Sequence, residues 1–200
     1  MEHLIEGYRR YRSDRWPRLR ALHQQLARGQ SPKVLVIACC DSRVDPATIF
    51  DADPGELFVI RNVANLAPPF EQGGGYHGTS AAIEFAVDAL EVSSILVLGH
   101  AQCGGVASAL AAPDHPTTFL DHWVGLLGPA KERIAHVHGD KQTALEYESI
   151  KVTLENLRSF PFVAARIADG RLALAGARYG VADGTLEFYD VGQNRFLPVS

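Results

Sequence analysis

The 200-residue sequence has few cysteines and no long apolar run, and each absence excludes classes of protein. Cys39, Cys40 and Cys103 are too few for a disulfide framework, so we expect thiols that fill a core, catalyse or bind metal. The longest unbroken apolar run, Val34–Cys40, is far too short to span a bilayer. Met1 is not followed by a basic segment and an apolar stretch, so we expect no secretory signal, and a cytoplasmic protein without a membrane partner.

The sequence is also short of positive charge, with 19 basic and 23 acidic side chains and a net charge of −4. This balance leaves too little basic surface to neutralise a run of phosphates, so we expect no nucleic-acid partner. Hydrophobic residues make up 46% and charged residues 21% of the chain, which excludes disordered and fibrous classes. The length predicts a single domain over residues 1–200.

Positive charge is nevertheless concentrated in residues 1–33, which carry eight basic and three acidic side chains. The same segment has apolar residues at helical spacing: Leu4, Tyr8, Tyr11, Leu19, Leu22 and Leu26. A basic amphipathic arm of this kind either binds a polyanion or docks on an acidic body, its own or that of a second copy. We favour docking and predict a helical arm over residues 1–30, with a break at Ser13–Pro17.

The rest of the sequence alternates the patterns of buried strands and of helices. Unbroken β-branched runs predict strands covered on both faces of a parallel sheet, at Val34–Ala38, Leu57–Ile60 and Ile95–Leu98. Helical patterns fall at Ala47–Asp51, 83–90, Gly104–Leu110, 129–138, 141–158 and Phe162–Ala168. Leu172–Ala177 and Thr185–Tyr189 have the pattern of a hairpin or edge strands. We predict an α/β fold with a mostly parallel central sheet flanked by helices, an N-terminal helical arm and C-terminal edge strands.

Two of the predicted strands end in side chains that bind metals. Cys39 follows the first strand, and His100 and Cys103 follow the third. Ligands of open α/β sheets bind outside the carboxyl ends of the strands, so these three side chains converge if the two strands are neighbours. Two thiolates and one imidazole suit Zn²⁺ and leave a fourth position for chemistry. The alternative is that both cysteines are small core residues and His100 is a satisfied polar neighbour; we favour zinc.

Asp41 and Arg43 form a second informative pair. Residues two apart on an extended segment lie on the same side, so these two can form a charge-assisted, bidentate pair. The alternative is a structural salt bridge that closes a turn. Because the pair follows a candidate zinc ligand, Cys39, by two residues, we favour a functional role.

Three motifs in this order resemble the β-class carbonic anhydrases: Cys39-x-Asp41-Ser42-Arg43, Phe58–Asn65 and Gly99-His100-x-x-Cys103-Gly104-Gly105. The resemblance runs from about Gly29 to Leu110 and implies one β-carbonic-anhydrase-like domain. It implies a catalytic Zn²⁺ held by Cys39, His100 and Cys103. It also implies reversible hydration of CO₂ to bicarbonate and a proton through a zinc-bound hydroxide.

The resemblance also implies roles for further residues. Asp41 would accept a hydrogen bond from the hydroxide, Arg43 would hold Asp41 away from the metal, and in a closed state Asp41 would become the fourth ligand. The implied substrate pocket comprises Gln30, Phe58, Val63, Phe85 and Gly104. Phe85 stands where many relatives have tyrosine. Arg61 and Tyr179 match two residues of a regulatory bicarbonate site, but Val36 replaces its tryptophan, so we expect an open, active zinc.

The resemblance further implies an obligate homodimer, or a higher homo-oligomer, in which the N-terminal helices embrace the partner and the pocket draws on both subunits. Two alternatives to a carbonic anhydrase stay open: a hydrolase of COS or CS₂ on the same scaffold, and a catalytically silent zinc-binding scaffold protein. Asp41 and Arg43 favour an enzyme over a scaffold, because a purely structural zinc needs neither residue.

Overall fold

The computed structural model describes residues 1–72, 76–111, 117 and 119–199, which are built around a six-stranded sheet. The strands are β1 (Val34–Cys39), β2 (Leu57–Asn62), β3 (Ser94–His100), β4 (Ala173–Tyr179), β5 (Leu186–Asp190) and β6 (Arg195–Pro198). They lie in the order β2–β1–β3–β4–β5–β6. The first four strands in this order pair in parallel, whereas β5 and β6 pair antiparallel. The predicted mostly parallel sheet is confirmed.

Helices flank this sheet and precede it. They are α1 (Glu2–Arg10), α2 (Trp16–Leu26), α3 (Pro46–Ile49), α4 (Gly78–Glu84), α5 (Gly104–Leu110), α6 (Leu120–Val124), α7 (Gly128–Arg133), α8 (Lys141–Arg158) and α9 (Pro161–Ala168). The predicted helix over 141–158 is confirmed, but the one predicted over 129–138 ends early, at Arg133. The chain turns there through Gly139, at a φ of 101°, so that Asp140 can cap α8.

Both faces of the central strands are buried, as their unbroken apolar pattern predicts. Leu35 and Ile37 of β1 pack into one apolar cluster together with Ile150 of α8. Val36 and Ala38, which alternate with them, pack into another cluster on the opposite face. This double burial explains why the sequence of β1 shows no alternation of apolar and polar residues.

The N-terminal arm is a continuous helical rod, so the break predicted at Ser13–Pro17 is wrong. A π-helical stretch, Tyr11–Arg15, joins α1 to α2, and Pro17 lies in the first turn of α2. Proline lacks an amide hydrogen and its ring crowds the preceding turn, and the wider π-helical turn accommodates both effects. Among the described residues none of the rod's side chains is buried, and Leu4 and Tyr8 are exposed.

The C-terminal strands complete one edge of the sheet. The predicted pairing is confirmed, since Ala177 of β4 lies opposite Phe188 of β5 in antiparallel register. Strand β6 was not predicted, because its four residues are too short a run to show alternation. Across the residues that the structure describes, no helix combines the length and the hydropathy that crossing a bilayer requires.

Candidate metal centre

The sheet order brings the predicted metal ligands together. Strands β1 and β3 are parallel neighbours, so the carboxyl ends of both strands lie at the same edge of the sheet. Cys39 ends β1, His100 ends β3, and Cys103 follows three residues later. One potential ligand atom from each residue lies within 4.8 Å of the other two, and all three residues are buried.

The spacing of this cluster fits Zn²⁺. The two sulfur atoms, Cys39 Sγ and Cys103 Sγ, are 3.9 Å apart. Two sulfurs each bound at about 2.3 Å to one tetrahedral zinc ion lie about 3.8 Å from each other. The two sulfurs therefore need almost no rearrangement to bind one ion, and three protein ligands would leave a fourth tetrahedral position for another group.

The imidazole of His100 has the orientation expected of a metal ligand. Its Nδ1 lies 2.9 Å from the carbonyl oxygen of Ala101, and because a carbonyl only accepts, Nδ1 is the protonated nitrogen. Nε2 then carries a free lone pair, and it is buried without a hydrogen-bond partner in the described part of the chain. A buried, unpaired nitrogen is costly, and a metal ion would satisfy it.

The two thiols do not ionise independently, because they are hydrogen-bonded to each other. The hydrogen bond with Cys103 lowers the pKa of Cys39, while the same bond raises the pKa of Cys103, which keeps the proton. Burial opposes a positive charge on His100, but the Cys39 sulfur and the Ala101 carbonyl outweigh it and raise the pKa of His100. Binding of Zn²⁺ therefore releases protons from this cluster.

Backbone amides complete the surroundings of both sulfurs. The amides of Asp41 and Ala64 lower the pKa of Cys39, and those of Gly105 and Val106 lower that of Cys103. Ala64 takes a left-handed conformation, at a φ of 64°, in the turn after β2.

This turn packs directly on the start of α5, which follows Cys103. A Cβ atom at Gly105 would lie 2.5 Å from Val63 Cγ1 and 3.1 Å from the backbone nitrogen of Ala64. Glycine is therefore required at position 105 for the two segments that surround the sulfurs to approach this closely.

Asp41 and Arg43 form the bidentate pair that their spacing predicts. Arg43 donates from Nε to Asp41 Oδ1 at 2.9 Å and from Nη2 to Oδ2 at 2.7 Å, and its backbone amide also donates to Oδ1. These hydrogen bonds hold the pKa of Asp41 well below its usual range. A lowered carboxyl pKa favours the paired form above the ordinary pKa of an aspartate, and this contribution is lost as the pH falls through the lowered value. The pair is therefore intact at neutral pH.

The same arginine joins the two metal-binding segments. Arg43 Nη2 also donates to the carbonyl oxygen of Gln102 at 3.1 Å, between His100 and Cys103. Gln102 is left-handed, with a φ of 56°, a conformation that exposes its carbonyl to this contact. Because exposed ion pairs contribute little stability, the Asp41–Arg43 pair matters chiefly for orientation.

The residues predicted for a regulatory anion site have other contacts in this structure. Arg61 donates from Nε to the carbonyl oxygen of Cys39 at 2.9 Å and from Nη2 to that of Asp41 at 2.6 Å. Its remaining Nη1 lies 3.7 Å from Asp45 Oδ1. Tyr179 of β4 lies opposite His100, and its carbonyl oxygen accepts the amide hydrogen of Ala101. Arg61 thus fixes the backbone that follows β1.

The predicted pocket residues fall into separate groups within one chain. Val63 and Gly104 flank the sulfur-bearing segments, since Val63 packs on the start of α5. The rings of Phe58 and Phe85 pack together with centroids 5.8 Å apart, and Phe85 is 48% exposed. Gln30 is exposed and lines a surface cavity of about 450 Å³ beside the end of α2.

The sequence predicted no role for Glu146, which contacts the backbone of Cys103, or for its partner Arg178. Glu146 of α8 is 2% exposed, and its Oε1 accepts the backbone amide of Cys103 at 3.1 Å. Arg178 of β4 donates to Glu146 Oε2 at 2.8 Å. The sequence carries one signal for this pair. Glu146 lies among the apolar positions of α8, a helix that contributes Leu145 and Ile150 to the core.

Known proteins are similar to this chain in both fold and sequence. A family model described as "Carbonic anhydrase" matches residues 34–186. The chain is 35% identical over 200 residues to "Beta carbonic anhydrase 3" of Arabidopsis thaliana, covering 96% of this chain and 77% of that protein.

Solved structures agree with this comparison. The β-carbonic anhydrase CcaA superposes with a TM-score of 0.91 at 33% identity, covering 100% of this chain and 99% of that one. A tetrameric β-carbonic anhydrase of Sordaria macrospora gives a TM-score of 0.82 at 26% identity, covering 100% and 98% of the two chains.

Zinc content tests the cluster directly. We expect the wild-type protein to bind about one Zn²⁺ per chain and Cys103→Ala to lose stoichiometric zinc, because the remaining sulfur and imidazole form an incomplete site. Metal analysis by plasma mass spectrometry after dialysis measures this. Cys40→Ala is the matched control, since Cys40 is exposed and should leave zinc unchanged. Stoichiometric zinc in Cys103→Ala, or its loss in Cys40→Ala, would contradict the assignment.

Proposed function

This chain belongs to the β-carbonic anhydrase family, and from that premise we propose that it hydrates CO₂ reversibly at a zinc ion held by Cys39, His100 and Cys103. Members of this family are zinc enzymes of the carbonate dehydratase class, and this chain carries a ligand set for the metal. One observation supports the proposal most strongly: the Asp41–Arg43 pair begins two residues after Cys39, which belongs to a buried cluster whose spacing fits zinc.

The chemistry divides between the metal and the protein. Bound Zn²⁺ supplies Lewis acidity, which brings the pKa of a coordinated water near neutrality and makes it a nucleophile for the carbon of CO₂. Cys39, His100 and Cys103 would hold the ion, and Asp41 and Arg43 follow the ligand Cys39 by two and four residues. In the overall reaction CO₂ and water give bicarbonate and one proton, so the protein must orient water and let a proton leave.

We assign the orienting role to Asp41. Its carboxylate accepts a hydrogen bond from the reacting water and so fixes the direction of the water's lone pair. Because Arg43 keeps the pKa of Asp41 low, the carboxyl does not retain a proton at neutral pH, and the proton passes on to solvent or buffer. Arg43, which holds both carboxylate oxygens, keeps Asp41 from becoming a metal ligand and thus favours the open state.

The pocket that we propose for CO₂ is apolar, because the substrate is linear and carries no net charge. Val63 and the backbone of Gly104 border the sulfurs of one chain. Phe58 and Phe85 pack on each other, and the exposure of Phe85 leaves one side of the pair for a second subunit to cover. We propose that Gln30 and these two rings complete the site of the partner chain.

We propose that the protein is a homodimer in which the N-terminal arm forms part of the interface. Leu4, Ile5 and Tyr8 are 57%, 50% and 61% exposed, an apolar surface that a monomer would leave in water. The basic charge of residues 1–33 complements the acidic charge of the remaining chain. We therefore propose that each arm packs on the body of a second copy, with larger homo-oligomers built from such dimers.

Two alternatives would use the same metal cluster. A hydrolase of COS or CS₂ would use the same ligands and would differ in its access route. A silent zinc-binding scaffold would need the metal cluster but has no use for the Asp41–Arg43 pair, whose orientation is fixed by three hydrogen bonds from Arg43 to the carboxylate.

Asp41→Asn separates catalysis from metal binding. We expect zinc content to be unchanged and kcat for CO₂ hydration near pH 8.5 to fall by about 10²-fold or more, because the amide accepts the water's hydrogen bond poorly and breaks the pair with Arg43. Stopped-flow measurement with a pH indicator gives the rate. Asp169→Asn is a matched control, since Asp169 also pairs with an arginine two residues on, Arg171, at an exposed site.

Unchanged turnover in zinc-replete Asp41→Asn would refute the role of this carboxylate. Zinc-loaded wild-type protein without CO₂ hydration would support the scaffold. If the wild-type protein hydrolysed COS or CS₂ and hydrated CO₂ poorly, the hydrolase would be favoured.

The arm is tested by the mass of the assembly. We expect the double variant Leu4→Asp/Ile5→Asp to shift from dimer to monomer at micromolar concentration, because charged side chains cannot pack in an apolar interface. Sedimentation velocity gives the mass, and circular dichroism checks the fold. Val191→Asp introduces the same charge at another exposed apolar site and should stay dimeric. A wild-type monomer, or an unaffected double variant, would contradict the proposal.

A further inference from the structure

Glu146 is a buried carboxylate that the zinc mechanism does not use. It lies on α8, is 2% exposed, and contacts the backbone of Cys103. Arg178 donates to its Oε2 twice, from Nε at 3.1 Å and from Nη2 at 2.8 Å. A buried ion pair gains little net stability, because desolvation of both charges offsets their attraction. A gain in stability therefore does not explain why this ion pair is buried.

The other carboxylate oxygen of Glu146 binds the backbone of Cys103. Oε1 accepts the backbone amide hydrogen of Cys103 at 3.1 Å. Cys103 is the residue that precedes the first turn of α5, where amide hydrogens have no partner within the helix. Without Glu146 this buried amide would be unsatisfied, and the zinc ligand that carries it would lose its fixed position.

Arg178 in turn is held from two sides. It belongs to β4, opposite Gly99 of β3, so the sheet fixes its backbone beside the metal-binding segment. Its guanidinium lies 4.7 Å from the ring centroid of Tyr147, and its Nη1 lies 3.6 Å from Glu187 Oε2. The Tyr147 hydroxyl donates to the same glutamate oxygen at 2.7 Å. A rigid arginine thus fixes the orientation of Glu146.

Cys103 is consequently a candidate zinc ligand whose backbone is anchored by a buried side chain of α8. From these contacts we propose that Glu146, oriented by Arg178, is a positioning residue that fixes Cys103 for zinc binding. The relevant group is the hydrogen-bond acceptor at Oε1, and the charge of Glu146 serves to pair with Arg178. This inference rests on the zinc-binding part of the proposed function.

Two double variants isolate the acceptor from the ion pair. Glu146→Gln/Arg178→Met keeps an oxygen that can accept from Cys103, whereas Glu146→Met/Arg178→Met has a side chain of similar length without one. Neither variant leaves a charge at position 146 or 178, and both lose the contact of Arg178 with Glu187 alike, while Glu187 still accepts from the Tyr147 hydroxyl. We therefore expect both to fold, as circular dichroism checks. We expect Zn²⁺ to bind about 10- to 100-fold more weakly to the methionine variant, measured by competition with a chromogenic chelator.

Cobalt gives a second readout that a merely structural role would not move. With Co²⁺ in place of zinc, we expect the thiolate-to-cobalt absorption per bound ion to be weaker in the methionine variant, because Cys103 is displaced. Equal zinc affinities and equal spectra in the two double variants would overturn the role of Glu146. Absence of zinc binding in the wild-type protein would instead overturn the proposed function.

A single variant keeps the test decisive if the methionine variant fails to fold. Glu146→Asp preserves the charge opposite Arg178 but draws the carboxylate back by one methylene group, away from the Cys103 amide. We expect weaker zinc binding in this variant, by about 10-fold. Zinc affinity equal to that of the wild-type protein would overturn the proposal.

Discussion

Two sulfur atoms and one imidazole lie together at one edge of the sheet, and the zinc chemistry proposed for this protein depends on their proximity. Two thiols 3.9 Å apart, with a buried imidazole nitrogen that has no partner among the described residues, form an arrangement that is poorly satisfied by protein alone. One divalent cation would satisfy all three groups, and its binding would release protons from the thiols. The parallel pairing of β1 with β3 makes this meeting possible, because it sets both ligand-bearing ends side by side.

The backbone around the cluster is held by arginines and one glutamate. Arg61 binds the carbonyl groups that follow β1, and Arg43 links Asp41 to the carbonyl of Gln102 beyond β3. On the far side, Glu146 binds the amide of Cys103. The two ligand-bearing segments are therefore connected to each other through Arg43 and to the body of the protein through Arg61 and Glu146. Such a frame holds the three ligand-bearing residues in the arrangement that binding of one metal ion requires.

Much of this architecture could be predicted from the sequence. The apolar runs of β1 and β3 marked buried parallel strands, and the side chains that end them marked the metal cluster. Strand β6 and the role of Glu146 were not predicted from the sequence. Strand β6 is too short to show a pattern, and Glu146 sits inside a helix, where only its place among apolar neighbours sets it apart. Its partner on β4 is 32 residues away along the chain, a separation that local reasoning cannot bridge.

X-ray absorption at the zinc edge of the metal-loaded protein shows whether both sulfurs bind one zinc ion. We expect two sulfur neighbours at about 2.3 Å and lighter nitrogen or oxygen neighbours at about 2.0–2.1 Å, which is the shell that Cys39, Cys103, His100 and one solvent molecule would give. A shell with one sulfur, or with none, would contradict this expectation.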